Sequence, residues 1–287
     1  MSMQLLLFQV LNGVGIGMIY FLLAAGLTLI FGLMRFVNFA HGAFYLVAAY
    51  LTFAVVQWTG SIWWALLIAP VAVAALAVVI ERVLLRHTYK MPHEAQILIT
   101  FAIALLLQEL VIMGFGPLGQ NVPVPPQLAG IVFLGPYVYP AYRLAVVASA
   151  AVIALVVWLV VEKTKLGAIL RAGSESSEMV GLLGINVERV FMATFALGGA
   201  LAGLAGVLAA PLRGVEPFMS GEALGIAFVV IVVGGLGTLS GALAGGLLIG
   251  IVQSIMSTLW PQGAQLMIYA AMAIVILIRP AGLLGRF

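Results

Sequence analysis

Long apolar runs separated by short polar breaks follow one another along the whole chain. The runs cover residues 5–31, 43–56, 62–80, 97–115, 144–161, 190–210, 223–255 and 266–278. A helix that crosses a bilayer needs about 20 predominantly apolar residues, so each long run predicts a span. The run 223–255 is rich in glycine and is broken at 234–241, which allows a short extra crossing or a re-entrant pair. The pattern predicts an all-α polytopic membrane protein, one transmembrane domain over 1–287, with about eight or nine spans and Gly-rich broken helices.

Composition removes the main alternatives. Only 7% of the 287 residues are charged and 64% are hydrophobic, whereas a soluble domain carries about 25% charged residues. A water-soluble globule and a disordered chain are therefore excluded, and the unbroken apolar runs argue against a β-barrel. The chain has no cysteine, which excludes disulfides and thiolate metal sites, and a net charge of +3 is too small to indicate nucleic-acid binding.

The basic residues predict the orientation, because cytoplasmic loops of membrane proteins are enriched in Lys and Arg. If the segments around 35, 81–94 and 162–189 and the C-terminus face the cytoplasm, only Arg143 and Arg213 of the 12 basic residues lie outside. The N-terminus and the loop 116–142, which holds six of the 12 prolines, then also lie outside. This orientation requires an odd number of crossings after residue 222.

Two Gly-bounded interruptions fall between apolar runs. They are residues 32–42, which include Asn38, His41 and Gly42, and residues 234–241, which include Gly234, Gly235, Gly237 and Thr238. Non-helical backbone at membrane depth is tolerated where it is buried in protein or lines a wet cavity, and paired interruptions indicate a transport site. Free helix ends there suit the carboxylate and ammonium of an amino acid. The alternatives are an ordinary cytoplasmic turn at the first break and close helix packing at the second.

Two further polar residues in the spans, and His41 of the first break, are candidates for chemistry. Asn12 could hydrogen-bond a neighbouring helix or the solute. Glu109, near the outer end of the fourth span, is either functional or paired and snorkelling, because an unpaired charge in a membrane is costly. His41 could titrate or simply be hydrogen-bonded. No spacing of His and acidic residues predicts a metal site.

The longest polar segment, 162–189, predicts a short helix. Ser174 can cap a helix running to about Leu183, with Glu175 and Glu178 in its first turns and Gly184 at its C-terminal end. Met179 and Leu182 belong to its apolar face. A helix of about ten residues is unstable alone, so this face needs the rest of the protein, another subunit or the membrane surface.

The chain carries no visible energy source of its own. No Gly-Lys pair is present, so a phosphate-binding P-loop is excluded, and aspartate is absent. A separate ATPase subunit, ion coupling through Glu109, or passive flow remain.

Four sequence elements together resemble the LivH-type permease of bacterial branched-chain amino acid ABC importers over essentially the whole chain. The first element consists of Asn12-Gly13, Gly26, Gly32 and the stretch 38–42. The second consists of Arg171-Ala172 and Gly184-Ile185-Asn186. The others are 234–238 with Gly241-Ala242, and Arg279-Pro280-Ala281-Gly282-Leu283.

The resemblance implies a multi-pass permease of the bacterial inner membrane that is not itself an enzyme. It implies a second related permease chain, two cytoplasmic ATPase subunits that hold ATP and Mg, and a periplasmic solute-binding protein, with no cofactor on this chain. The segment that includes Arg171, Ala172 and Ile185 would then dock on an ATPase. Wider relatives carry urea and short amides, so such a permease is one alternative. A proton-coupled amino acid carrier and a passive channel are the others.

Overall fold

The computed structural model describes residues 3–89, 91–134 and 137–285. Two of the basic residues counted above, Lys90 and Arg286, lie outside the described residues. The helices and strands are α1 (Met3–Met34), α2 (His41–Thr59), α3 (Ile62–Val83), α4 (His93–Phe115), β1 (Ile131–Leu134), β2 (Tyr137–Pro140), α5 (Ala141–Lys163), α6 (Lys165–Glu175), α7 (Ser177–Leu182), α8 (Val187–Arg213), α9 (Met219–Gly234), α10 (Leu239–Leu259) and α11 (Ala264–Ile278).

The predicted number of spans is confirmed. Within the described residues, eight helices are long and apolar enough to cross a membrane, and α9 is a ninth, shorter apolar helix of 16 residues. The run 223–255 therefore divides into α9 and α10 at the predicted glycine break. Three apolar helices, α9, α10 and α11, follow α8. The orientation, which requires an odd number of crossings after residue 222, stays a prediction.

The central helix α1 is buried because glycines let its neighbours approach closely. A Cβ on Gly17 would lie 2.6 Å from the carbonyl oxygen of Gly246 in α10, and one on Gly13 would lie 2.5 Å from the Cα of Ile251. On another face, a Cβ on Gly26 would lie 2.6 Å from the Gly198 oxygen of α8. Small residues allow this packing inside membranes, where lipid removes the hydrophobic drive between helices.

Peripheral helices expose apolar side chains, as expected for a surface in contact with lipid. On α4, Leu106 and Met113 are 59% and 81% exposed, and on α5 Val152 is 61% exposed. The buried face of these helices instead packs on the core around α1, α2 and α8.

The loop 116–142 contains regular structure. It contains a short 3-10 turn over Pro126–Leu128 and the antiparallel hairpin of β1 and β2, and α5 begins at Ala141. Backbone hydrogen bonds of 2.8 Å in both directions join Gln120 to Val215, between α8 and α9. The hairpin is the one departure from an all-α description within the described residues, and it lies outside the predicted spans.

The charged groups divide between the two ends of the helix bundle. One end carries Arg35, Arg86, residues 162–189 and Arg279, and includes an ion pair between Arg86 and Glu188. The predicted orientation assigns this end to the cytoplasm, and we therefore call it the cytoplasmic end. The opposite, outer end carries Arg143 and Arg213, the two basic residues that the orientation had placed outside.

Candidate functional site

Two adjoining cavities open at the outer end of the bundle. The larger has a volume of about 310 Å³ and the smaller about 100 Å³, and they share the side chains of Ile19, Tyr20, Tyr45 and Arg213. We call them together the outer cavity. Its walls come from α1, α2, the end of α8 and the start of α9, with Gln253 from α10, and in the smaller cavity also from β2 and α5.

A chain of polar groups crosses the outer cavity. The Nη2 atom of Arg213 donates to the hydroxyl of Tyr20 at 2.6 Å, and that hydroxyl donates to Oε1 of Gln253 at 2.5 Å. The Arg213 guanidinium also lies 5.5 Å from the centre of the Tyr20 ring, within cation–π distance. These contacts fix the phenol and hold one side of the guanidinium against it.

Glu222 faces the same guanidinium without a close hydrogen bond. Its Oε1 lies 3.8 Å from Nη1 of Arg213, beyond the range of a direct N–H···O bond. Local sequence favours both positions, since Arg213 is in the last turn of α8 and Glu222 in the first turn of α9, where the helix dipoles stabilise a cation and an anion respectively. Glu216 adds a second carboxylate to the wall.

One wall of the larger cavity is apolar. Ile19 and Leu23 of α1 and Ala223 and Ile226 of α9 line it, and each is at most 6% exposed. The cavity therefore offers both signs of charge beside a hydrocarbon wall, an arrangement suited to a small amphipathic molecule.

Asn12, a predicted pathway residue, lines the smaller cavity. Its Oδ1 accepts hydrogen bonds from the Tyr139 hydroxyl at 3.0 Å and from Nη1 of Arg143 at 2.5 Å. Burial raises the pKa of the Tyr139 phenol, and the nearby guanidinium offsets this only in part. Asn12 thus joins α1 to the hairpin and to α5, while its role towards the solute remains a prediction.

The first break places its predicted residues in the core. Asn38 and His41 are both fully buried, with Oδ1 of Asn38 accepting from the Ala40 N–H at 3.1 Å and Nε2 of His41 bonded to the Leu23 oxygen at 2.9 Å. Gly42 is pressed against the backbone of Ser220 at the start of α9. These residues do not line the outer cavity but support the helices that form it.

The second break opens on a separate cavity at the cytoplasmic end. Gly235 and Gly237 have φ values of 110° and 80°, which favour glycine, and Gly234 accepts a backbone hydrogen bond from Leu284 at 2.9 Å. Gly237 and Thr238 line an inner cavity of about 510 Å³, together with Arg171 and Glu175 of α6. The break and the polar segment 162–189, distant in sequence, thus share one space.

The polar segment forms two helices where one was predicted, and the predicted cap was wrong. Oγ1 of Thr164 caps α6, and Oγ of Ser176 accepts from the Met179 N–H at 3.2 Å to cap α7. Ser174 and Glu175 end α6, because Thr164 starts a helix about ten residues earlier than predicted. Glu178 does lie in the first turn of α7, and Gly184 follows that helix with a φ of 81°.

The side chains of the segment divide into inward and outward groups. Nη1 of Arg171 bonds the carbonyl of Val161 and lies 3.4 Å from Oε2 of Glu162, so its contacts are internal. Ile185 packs on the core, and Ala172 is exposed. Met179 and Leu182 are 59% and 77% exposed, and the described part of the chain leaves this apolar face uncovered.

Arg35 links the first break to this segment. It has a φ of 56°, the only positive φ of a non-glycine residue in the described ranges. Its Nη2 donates to the carbonyl oxygens of Ser174 at 3.2 Å and Glu175 at 3.0 Å, at the end of α6. The turn after α1 is therefore hydrogen-bonded directly to the polar segment 162–189.

Glu109 projects from the exposed face of α4, and no ion pair of that carboxylate is seen among the described residues. Its neighbour Gln108 instead accepts a hydrogen bond from Oγ of Ser220 at 2.9 Å. In the described part of the chain, no group of three or more His, Cys, Asp or Glu residues could hold a metal ion.

Sequence patterns missed the groups that define the outer cavity, namely Tyr20, Arg213, Glu222 and Gln253. Tyr20 and Arg213 are separated by 193 positions, so their contact has no local signature. One signal was present, because Arg213 is an exception to the cytoplasmic bias of basic residues.

Comparison with known proteins places these features in a family. The family described as "Branched-chain amino acid transport system / permease component" matches residues 9–277. The high-affinity branched-chain amino acid transport system permease protein LivH of Escherichia coli strain K12 is 31% identical, over 100% of this chain and 98% of the relative. BraD of Pseudomonas aeruginosa, named as a permease of the same kind, is 28% identical over 97% of this chain and 95% of its own length.

An archaeal relative is also similar. A probable branched-chain amino acid transport permease protein of Methanocaldococcus jannaschii is 31% identical over 82% of this chain and 76% of the relative. No solved structure matches.

Proposed function

The chain belongs to the family of permease components of branched-chain amino acid transport systems, and from this membership we propose that it carries hydrophobic amino acids across a bacterial inner membrane as one subunit of an ATP-driven importer. It is a multi-pass membrane protein with a transport role. The energy comes from separate ATPase subunits that bind ATP and Mg on the cytoplasmic face.

The observation that carries this proposal is the uncovered apolar face of α7. Met179, Leu182 and Leu183 are 59%, 77% and 74% exposed beside the charged side chain of Glu178. α7 has only six residues, so it is held by its connections and is too short to be stable without them. A short helix that presents three large apolar side chains fits a groove on a partner protein, here the ATPase.

Contacts inside the chain would carry motion of this helix to the membrane. Ser176 joins α6 directly to α7. α6 packs on α1, and a Cβ on Gly173 of α6 would lie 2.6 Å from Cδ1 of Leu33 in α1. Arg35 adds its two hydrogen bonds to the end of α6. Displacement of α6 and α7 would therefore move the end of α1 and the turn that leads into α2.

The other partners follow from the same proposal. A second related permease chain would complete the membrane part, and a periplasmic binding protein would deliver solute to the outer end, where the hairpin and the outer cavity lie. Proton coupling has less support, because Glu109 is on the exposed face of α4, away from both cavities. The charged outer cavity likewise suits an amino acid better than urea.

Substitution at the apolar face of α7 tests the proposal. Met179→Asp and Leu182→Asp place a charge where apolar contact with the ATPase is needed, so we expect leucine uptake by the reconstituted complex to fall at least tenfold. Basal ATP hydrolysis should persist in these variants. Met179→Leu is the matched control and should transport normally. Equal transport by Met179→Asp and Met179→Leu would show that the ATPase does not dock on this helix.

A further inference from the structure

Two charged side chains of the outer cavity, Arg213 and Glu222, lie close together without a hydrogen bond between them. The 3.8 Å gap between Nη1 of Arg213 and Oε1 of Glu222 is too long for a hydrogen bond, and the side chains of both residues are 40% and 46% exposed towards the cavity and solvent. A guanidinium has five N–H donors, and the described contacts of Arg213 use one of them, towards Tyr20. Donors and acceptors therefore remain free on both charged groups.

Contacts with Tyr20 hold the guanidinium of Arg213 in place. The Tyr20 ring lies under its guanidinium at 5.5 Å, and Gln253 holds the Tyr20 hydroxyl at 2.5 Å. Arg213 is the last residue of α8, and Gly214, with a φ of 73°, follows it as the C-cap. A cation held in this way can bind an incoming carboxylate with little loss of side-chain freedom.

The wall next to the pair has the chemistry of an aliphatic side chain. Ile19 and Leu23 form one side and Ile226 the other, and all three are at most 6% exposed. The volume of about 310 Å³ is at the lower end of the usual range for small-ligand sites. The cavity is thus large enough for a small solute and has one charged region and one apolar region.

We propose that the outer cavity is the solute-binding site of the permease, in which Arg213 binds the carboxylate of a hydrophobic amino acid, Glu222 binds its ammonium group, and Ile19, Leu23 and Ile226 contact its side chain. The inference rests on the proposed function and adds the orientation of the solute. The solute binds beside the pair, with its carboxylate on Arg213 and its ammonium group on Glu222, and so makes two direct charge-assisted hydrogen bonds.

This assignment explains why the site would reject related molecules. An amine that lacks the carboxylate leaves Arg213 unpaired, and an acid that lacks the ammonium adds a third negative charge beside Glu216 and Glu222. Urea offers neither charge and leaves the apolar wall in contact with water. A zwitterion with an aliphatic side chain satisfies all three parts of the cavity.

A cysteine-protection experiment tests occupancy directly, because the natural chain has no cysteine. Met219→Cys places a single thiol on the wall of the cavity, and Leu118→Cys places one on the outer loop, where the side chain is 75% exposed. In the purified complex without binding protein, we expect millimolar leucine to slow methanethiosulfonate labelling of residue 219 at least fivefold. Leucine should not slow labelling at residue 118.

Probe molecules give the specificity. Isoamylamine and 4-methylpentanoate, which each lack one charge of leucine, should protect residue 219 at least tenfold less well than leucine. Arg213→Gln should abolish protection by leucine, while Arg213→Lys should restore it in part. Glu222→Gln should also weaken protection.

The outcomes separate this proposal from the proposed function. If the unmodified complex shows ATP-dependent leucine uptake but leucine never protects residue 219, the site is wrong and the transport role stands. Protection by leucine that persists in Arg213→Gln would overturn the orientation. If the complex hydrolyses ATP but never accumulates any amino acid, the proposed function itself fails.

Discussion

Replacing Arg35 by glycine should separate folding from energy coupling. Arg35 holds a left-handed backbone conformation, which costs a non-glycine residue about 1–2 kcal/mol. Its two hydrogen bonds to Ser174 and Glu175 are exposed. Bonds from charged donors are worth about 1.5–3 kcal/mol, and solvent screening brings this pair to about 1.5 kcal/mol in total.

These two contributions nearly cancel in the stability of the protein. Arg35→Gly removes about 1–2 kcal/mol of backbone strain and loses about 1.5 kcal/mol of hydrogen bonding, so we expect little change in thermal stability. The hydrogen bonds that connect the turn before α2 to the end of α6 are lost, and nothing in the variant replaces this connection. At about 1.4 kcal/mol per factor of ten, the coupling between ATP hydrolysis and transport should weaken about tenfold.

The assay is the number of ATP molecules hydrolysed per leucine taken up by proteoliposomes that contain the complete complex. Arg35→Gly should raise this ratio about tenfold, with unchanged assembly and melting temperature. Arg35→Asn tolerates the same backbone but cannot reach α6, so it should behave like the glycine variant, whereas Arg35→Lys should retain part of the coupling. A wild-type ratio in Arg35→Gly would refute the role of this link.

Three further changes give distinct results. Gly17→Val should destabilise the chain strongly, because a Cβ there would lie 2.6 Å from the Gly246 oxygen. Gly114→Ala should be nearly neutral, because no atom lies within 4 Å of its Cβ. Similar melting temperatures of the two variants would contradict the packing of α1 on α10. Glu109→Gln should keep full ATP-driven leucine uptake in proteoliposomes, and its loss would instead favour proton coupling. Tyr20→Phe, which removes the hydroxyl that contacts Arg213, should raise the leucine concentration for half-maximal protection of residue 219 about tenfold, and an unchanged value would show that the phenol does not position the guanidinium.

Helices were predictable from sequence because a span is defined by a continuous apolar run. The break between α9 and α10 was also visible, since Gly235 and Gly237 have positive φ values that favour this residue. The first break was located but its geometry was not, because the left-handed residue there is Arg35 and not one of the flanking glycines. Its side chain contacts Ser174 and Glu175, which are distant in sequence.

The polar segment shows why a cap is hard to choose from sequence alone. Ser174, Ser176 and Ser177 are all good capping residues, and the apolar pattern of 162–189 does not reveal that Thr164 already begins a helix. Once α6 forms, residue 174 lies inside its last turn and Ser176 becomes free to cap α7. The prediction that Met179 and Leu182 form an apolar helix face does not depend on which residue caps the helix, because both residues lie after Ser176, within α7.

The outer cavity could not be predicted because its polar groups meet through tertiary packing. Tyr20 and Gln253 are 233 positions apart and join only because α10 packs along α1. Arg213 and Glu222 lie at the helix ends on either side of a short connection, and in the sequence this region looks like an ordinary exposed loop. By contrast, Asn12 was a candidate from the start because a polar side chain within a span is unusual.

Reconstitution into proteoliposomes tests the source of energy most directly. With both permease chains, the ATPase subunits and the binding protein present, leucine should accumulate against its gradient only when ATP is supplied on the side that carries residues 162–189. The purified chain alone, under an imposed proton gradient, should accumulate none. Accumulation by the chain alone, or ATP-dependent uptake when ATP is confined to the side of the outer cavity, would contradict a permease driven from its cytoplasmic end.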